Sequence, residues 1–237
     1  MIRHWLVHNW FHHILVTVGI LAVFGAYKVT LQRMGSQAGE VLKLLVVMST
    51  TREGRMGSRV VKFIQNELGA KYDITILDPK ELDLPLVRMP IHHYDDRTQA
   101  PQVLLDIEAK LKAAEAFLFV TAEYNGSVPP ALSSLLDHFP PGHTLFGYKP
   151  SGIVSYSMGS FGGMMGTVPL RQLLNAMGTV AVPESVHVPQ VHSSLDEDGK
   201  VQGNDHLKSG LESLDTQLGW YAHSMKEYRK IHGVPKL

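Results

Sequence analysis

The chain predicts an α/β fold, a doubly wound five-stranded parallel sheet preceded by an N-terminal hydrophobic helix. Three observations predict it. From Leu42 onward, short apolar runs alternate with stretches whose apolar residues recur every three or four positions, the strand–helix alternation of a parallel sheet covered on both faces. The run Ala116-Phe117-Leu118-Phe119-Val120-Thr121 is almost continuously apolar, as a central strand buried on both faces should be. Ser49-Thr50-Thr51-Arg52-Glu53-Gly54-Arg55-Met56-Gly57 falls between an apolar run and a helix-like pattern, where such sheets hold ligands at the carboxyl ends of their strands.

Taken in order, the first 39 residues stand apart: they contain no Asp or Glu, and their fixed charges are Arg3, Lys28 and Arg33. Ile14–Tyr27 is uncharged, yet shorter than the ~20 residues that cross a bilayer. Extended back through Trp5, Trp10 and Phe11, residues 5–28 reach that length, with Tyr27-Lys28 at the other end, an interfacial belt. A membrane anchor with its linker is therefore expected over residues 1–39. A targeting peptide cleaved near Gly35-Ser36-Gln37-Ala38-Gly39 would share the apolar core. The third alternative is a soluble helix, which would leave the protein cytoplasmic. Residues 40–237 are then one α/β domain, long enough for a sizeable core.

Within that domain, Leu42–Met48 reads as the first strand, and Gly57–Leu68 as a helix with Val60, Val61, Ile64 and Leu68 on one face. Tyr72–Leu77 is the second strand, followed by a polar loop through Pro85, Pro90, His92-His93-Tyr94 and Asp95-Asp96. Pro101–Lys112 spaces Val103, Leu104, Ile107 and Leu111 for burial as a second helix. Ala116–Thr121 is the third strand, and Ser127–Phe139 a third helix with Pro129 in its first turn, where proline is tolerated. Gly152–Tyr156 is the fourth strand, Gly163–Met177 the fourth helix, and Thr179–Val182 begins the fifth strand. Asp196-Glu197-Asp198-Gly199 is a tight polar turn, and His206–His232 closes the chain as a helix.

Composition narrows the function. A formal net charge of zero provides no overall field to draw the chain to nucleic acid. The absence of Cys excludes disulfides, iron–sulfur clusters, thiolate zinc sites and cysteine nucleophiles. Most of the thirteen His are scattered, and the adjacent pairs His12-His13 and His92-His93 diverge in direction on any regular element. No metal site is expected.

The strand-end rule selects three loops. Ser49–Gly57 offers hydroxyls at Ser49, Thr50 and Thr51 and cations at Arg52 and Arg55, beside helix N–H groups that lack internal partners. It lacks the Lys and spacing of a nucleotide-triphosphate loop and is not G-x-G-x-x-G, so it fits a monophosphate. Ala122-Glu123-Tyr124-Asn125-Gly126-Ser127-Val128-Pro129 supplies an aromatic plane at Tyr124 beside amide and backbone donors. Ser157-Met158-Gly159-Ser160-Phe161-Gly162-Gly163 is Gly-rich, so backbone can approach a flat ring. Taken singly, each is an ordinary solvated loop; together at one sheet edge they make a site.

These motifs resemble those of the NAD(P)H-dependent FMN reductases and quinone reductases of the flavodoxin-like superfamily. That family's first loop reads G-S-x-R-x-x-S/R, its second P-E-Y-N-x-S-x-P-x-x-L-K-N-x-x-D, and its third S-x-G-x-x-G-G, with Leu-Arg on the next helix. Here the matching segments are Ser49–Arg55, Ala122–Asp137 and Ser157–Gly163, with Leu170-Arg171 downstream. The resemblance spans about residues 42–185. Ser49 stands where the family has Gly, Ala122 where it has Pro, and Ser133-Ser134 where it has Lys-Asn.

The resemblance implies a flavodoxin-like domain that binds FMN and uses NADPH or NADH as co-substrate. Thr50, Arg52 and Arg55 would hold the FMN phosphate. Glu123, Tyr124, Asn125 and Gly126 would line the ribityl chain and ring edge. Ser157, Met158, Gly159, Phe161, Gly162 and Gly163 would surround the other side of the ring. No side chain is expected to be catalytic, because the flavin carries the chemistry, passing hydride from nicotinamide to a quinone, a flavin or a similar acceptor. The alternative is a flavodoxin-like accessory subunit of a larger membrane assembly, such as a mitochondrial respiratory complex in the inner membrane, with a mainly structural role. The resemblance also implies a homodimer, unless the protein is such a subunit.

Overall fold

The computed structural model describes residues 41–141, 145–203 and 205–235. The N-terminal hydrophobic helix and the span expected over residues 5–28 lie outside the described residues. Five strands, β1 (Leu42–Met48), β2 (Tyr72–Leu77), β3 (Ala116–Ala122), β4 (Pro150–Tyr156) and β5 (Val180–Val188), pair in parallel in the order β2-β1-β3-β4-β5. That order reverses direction at β1, which places β1 and β3 side by side at the switch point where such sheets bind ligands.

Alternation along the strands builds two cores. Leu44, Val46 and Met48 face one way, onto Val60, Phe63 and Ile64 of α1 (Gly57–Leu68) and the residues of the long C-terminal helix. Leu45 and Val47 face the other way, into a core with Leu104, Ile107, Leu132, Leu135, Leu170 and Leu174. β3 is buried at every position, with Leu118 and Val120 in the first core and Phe117 and Phe119 in the second. Each fully buried Leu or Phe contributes about 1.5–3 kcal/mol of apolar transfer, so the layers hold the strand ends in fixed positions.

The remaining helices are α2 (Pro79–Leu82), α3 (Gln102–Ala113), α4 (Pro130–Asp137), α5 (Thr167–Met177), α6 (Val191–Ser194) and α7 (His206–His232). Helix α4 begins three residues later than its apolar pattern suggests. Pro130 occupies its first turn, and a residue preceding proline is driven out of the helical region, so Pro129 stays extended at φ −59°, ψ 138°. The expected Gly163–Met177 helix begins one residue late, because Gly163 adopts φ 77°, and divides into a 3₁₀ turn, Met164–Gly166, and α5. Strand β5 continues through Pro183 to Val188 with a register shift opposite Ser151–Ile153, which an edge strand tolerates. Among the described residues, no helix is long and apolar enough to cross a membrane.

Candidate functional site

The first loop is sewn to the sheet at its start. Ser49 N donates to Val120 O at 3.1 Å, and Ser49 Oγ accepts from Ala122 N at 3.1 Å, so the hydroxyl at this Gly-to-Ser departure carries a structural hydrogen bond. Thr50 is also buried, its Oγ1 3.3 Å from the Tyr156 hydroxyl. Arg52–Arg55 closes as a β-turn, with Arg55 N donating to Arg52 O at 3.4 Å and Gly54 at φ 67°, a backbone region open to glycine. Helix α1 then starts at Gly57 with no side-chain cap and no acidic residue in its first turn. Its leading N–H groups and the positive end of its dipole are thereby left for an anion.

The two arginines of this loop part company. Arg55 directs Nη1 to Asp78 Oδ1 at 2.6 Å, Nη2 to Asp78 Oδ2, and Nη1 also to the Thr50 carbonyl. Its fork is committed to the end of β2, where Asp78 also caps α2 by accepting from Lys80 N at 3.0 Å. Arg52 is exposed instead, its guanidinium lying 5.5 Å from the centre of the Tyr124 ring, within cation–π range.

The second loop is a two-residue hairpin. Tyr124 and Ser127 exchange backbone hydrogen bonds of 3.1 and 3.0 Å around Asn125 at φ 53° and Gly126 at φ 73°. Positive φ at both central residues is the type I′ signature that Asn-Gly favours. Glu123 Oε2 accepts from Met165 N at 3.1 Å, tying this loop to the 3₁₀ turn after the third. Ser134, at the Lys-Asn departure, accepts from Val87 N at 3.1 Å and so pins the long loop after α2 against α4.

In the third loop the glycines serve the protein's own backbone. A Cβ on Gly162 would lie 2.9 Å from His187 and Val188 main-chain atoms, and one on Gly163 would lie 2.7 Å from Tyr156 O. Ser155 Oγ donates to Gly162 O at 2.7 Å and lies 2.7 Å from His187 Nδ1. Since the hydroxyl proton goes to the carbonyl, Nδ1 carries the ring proton and donates to Oγ. Burial of His187 lowers its pKa, with Glu184 acting against the shift and Arg171 with it. Met158 and Phe161 project outward, 57% and 76% exposed.

The loops converge on a cavity of about 410 Å³. Thr50, Arg52, Arg55, Glu123, Tyr124, Ser157 and Met158 line it, as the motifs suggested. Asn125, Gly126, Gly159, Phe161, Gly162 and Gly163 are not in its wall; they shape the turns beside it. The wall also contains Glu53, Gly54, Met56, Ala122, Tyr156 and Val191. Val191 arrives on a strap held by Arg59, whose Nη1 donates to His192 O at 3.1 Å and Leu195 O at 2.9 Å, and no local motif marks it. Tyr156 closes a buried strand and reads as core in the sequence. An uncapped helix N-terminus, buried hydroxyls, one uncommitted arginine and an aromatic face suit a phosphate-bearing flat ring.

Comparison with known proteins agrees. The profile of a family described as NADPH-dependent FMN reductase matches residues 42–193. A quinone reductase of Pseudomonas putida is 27% identical over 190 residues, covering 76% of this chain and 95% of that protein. An NAD(P)H-dependent FMN reductase of Schizosaccharomyces pombe is 30% identical over 169 residues, covering 68% of this chain and 77% of that protein. Among solved structures, FerB, a flavoenzyme NAD(P)H:(acceptor) oxidoreductase from Paracoccus denitrificans, shares the fold at a TM-score of 0.63 and 23% identity, over 77% of this chain and 98% of that one.

Proposed function

The chain belongs to the NADPH-dependent FMN reductase family, and on that premise we propose that it is an FMN-dependent NAD(P)H oxidoreductase delivering electrons to a quinone or similar acceptor. The observation that carries the reading is the uncapped N-terminus of α1 opening into a cavity shared by the β1, β3 and β4 loops. When bound, FMN would supply the hydride and electron-transfer chemistry between NADPH or NADH and the acceptor.

The chain's own residues bind and orient. In this reading the leading amides of α1, the Thr50 hydroxyl and Arg52 hold the phosphate. Arg55, committed to Asp78, acts on the phosphate through the shape of the loop. Tyr124 and the type I′ hairpin flank the ring edge, with Glu123 holding that hairpin to the Met164–Gly166 turn. The outward Met158 on the cavity wall adds apolar surface beside the ring, which favours a flat, poorly soluble acceptor over a charged one.

Purification followed by a visible spectrum and addition of NADPH tests the proposal. A flavin band that bleaches supports it. A colourless protein that recruits no added FMN overturns it in favour of the structural-subunit alternative. We further propose that residues 1–39 anchor the flavin domain, 40–237, to a membrane through residues 5–28. A truncated chain starting at residue 40 that remains in the membrane fraction would refute that part.

A further inference from the structure

The Tyr156 hydroxyl is a polar group on the cavity wall that the family's motifs leave without a task. We infer that Tyr156 is a phosphate-binding residue, supplying an O–H donor that makes the site prefer FMN to riboflavin. The inference rests on the FMN reading above.

Strand register fixes where this side chain stands. Tyr156 is the last residue of β4, paired with Ala122 on one side and Val188 on the other. Tyr156 is 5% exposed and belongs to the core under α1, so its hydroxyl is held at one point. That point is the first turn of α1. A Cβ on Gly57 would lie 2.7 Å from the Tyr156 oxygen, which explains the glycine there.

Proton counting then leaves a donor over. Tyr156 Oη and Thr50 Oγ1 lie 3.3 Å apart, so one of them donates to the other. Two hydroxyls carry two protons, and the bond between them uses one. The other proton has no partner within the pair, and when Thr50 donates it is the phenol's, available to a ligand in the cavity that both residues line. Burial raises the Tyr156 pKa, which keeps the phenol protonated and therefore a donor at neutral pH. The hydroxyl pair matters more because Arg55 has turned its fork to Asp78 and Thr50 O. A phosphate entering here meets neutral donors and Arg52.

The test compares FMN and riboflavin, which differ only in the phosphate, by fluorescence quenching on the full chain in detergent. Tyr156→Phe removes one oxygen and keeps the ring. The expected result is FMN bound about tenfold more weakly, the scale of a hydrogen bond to a charged group, with riboflavin unchanged within about twofold. Inorganic phosphate should raise the melting temperature of the flavin-free wild type and do so less for Tyr156→Phe. Thr50→Val should reproduce part of the FMN loss. An FMN-to-riboflavin ratio in Tyr156→Phe equal to that of the wild type overturns the inference while leaving the FMN reading intact. Equal weakening of both ligands also overturns it, because the hydroxyl would then only support packing. A wild-type chain that binds the two flavins equally removes the phosphate from this cup, and with it the underlying reading.

Discussion

Arg55, on the cavity wall, and Asp78 meet in a two-pronged ion pair, with side chains 13% and 7% exposed. A residue on the loop after β1 is thereby locked to the end of β2. Breaking a pair this far out of water leaves a charge without its partner, which costs about 3–5 kcal/mol. Asp78→Ala and Arg55→Ala are each expected to lower stability by about that much in urea unfolding. The double replacement should cost clearly less than the sum, because it leaves no orphaned charge. Additive losses would show that the pair is solvated.

Arg52 makes the opposite case. Its exposed guanidinium lies over Tyr124, and solvent screens much of its field. Arg52→Ala should leave the unfolding midpoint nearly unchanged and weaken FMN about fivefold, equivalent to ~1 kcal/mol. Arg52→Lys should restore only part of that, since a point charge replaces a planar fork. FMN retention after gel filtration checks both, and unchanged retention in Arg52→Ala would exclude the residue from the phosphate site.

The glycine positions predict an order of damage. Gly126 sits at φ 73° with nothing within 4 Å of an added Cβ, whereas at Gly163, φ 77°, a Cβ would meet Tyr156 O at 2.7 Å. Gly126→Ala should cost about 1 kcal/mol from backbone strain alone. Gly163→Ala adds a clash with a sheet carbonyl and should cost at least 1 kcal/mol more. Thermal unfolding of both variants reads the order directly, and equal losses would contradict the close packing of the third loop.

Lys149 sets a pH dependence. Its Nζ is buried, donating to Leu111 O at 2.7 Å and Lys112 O at 3.1 Å. Burial, reinforced by Arg229 and opposed by Glu115, lowers its pKa to about 8. Between about pH 8 and the ordinary lysine value the unfolded chain binds the extra proton, so stability rises with pH across that window and the penalty is complete below it. Tyr72 and Lys71, with raised pKa values from burial and from Asp215 respectively, act oppositely near and above pH 10. The clean comparison is therefore wild type against Lys149→Met in urea at pH 7.5 and 9.5. The wild type should gain stability relative to the variant over that interval, and parallel curves would show that Lys149 titrates normally.

How much of this was legible before folding depends on range. The Asn125-Gly126 hairpin follows from two residues and their tolerance of positive φ. The strands Leu42–Met48 and Tyr72–Leu77 match their apolar runs to the residue. The late start of α4 was also written locally, in Pro129-Pro130, but the apolar pattern obscured it. The fate of Arg55 was not local at all: its partner lies 23 residues away and becomes a neighbour only because β2 pairs with β1. Gly162 and Gly163 looked like room for a ligand ring, and their space is taken by β4 and β5 main chain.

The sequence by itself therefore determined the strand–helix alternation, the strand-end loops and the turn chemistry, because periodicity, propensity and glycine freedom act within a few residues. Only the tertiary structure decided which donors face the cavity. It joined Arg55 to Asp78, set Tyr156 against Thr50 and Gly57, and carried Val191 in on a strap. Those outcomes depend on strand order and register, which bring distant residues within hydrogen-bonding reach and make each donor either a partner within the fold or a contact for a ligand.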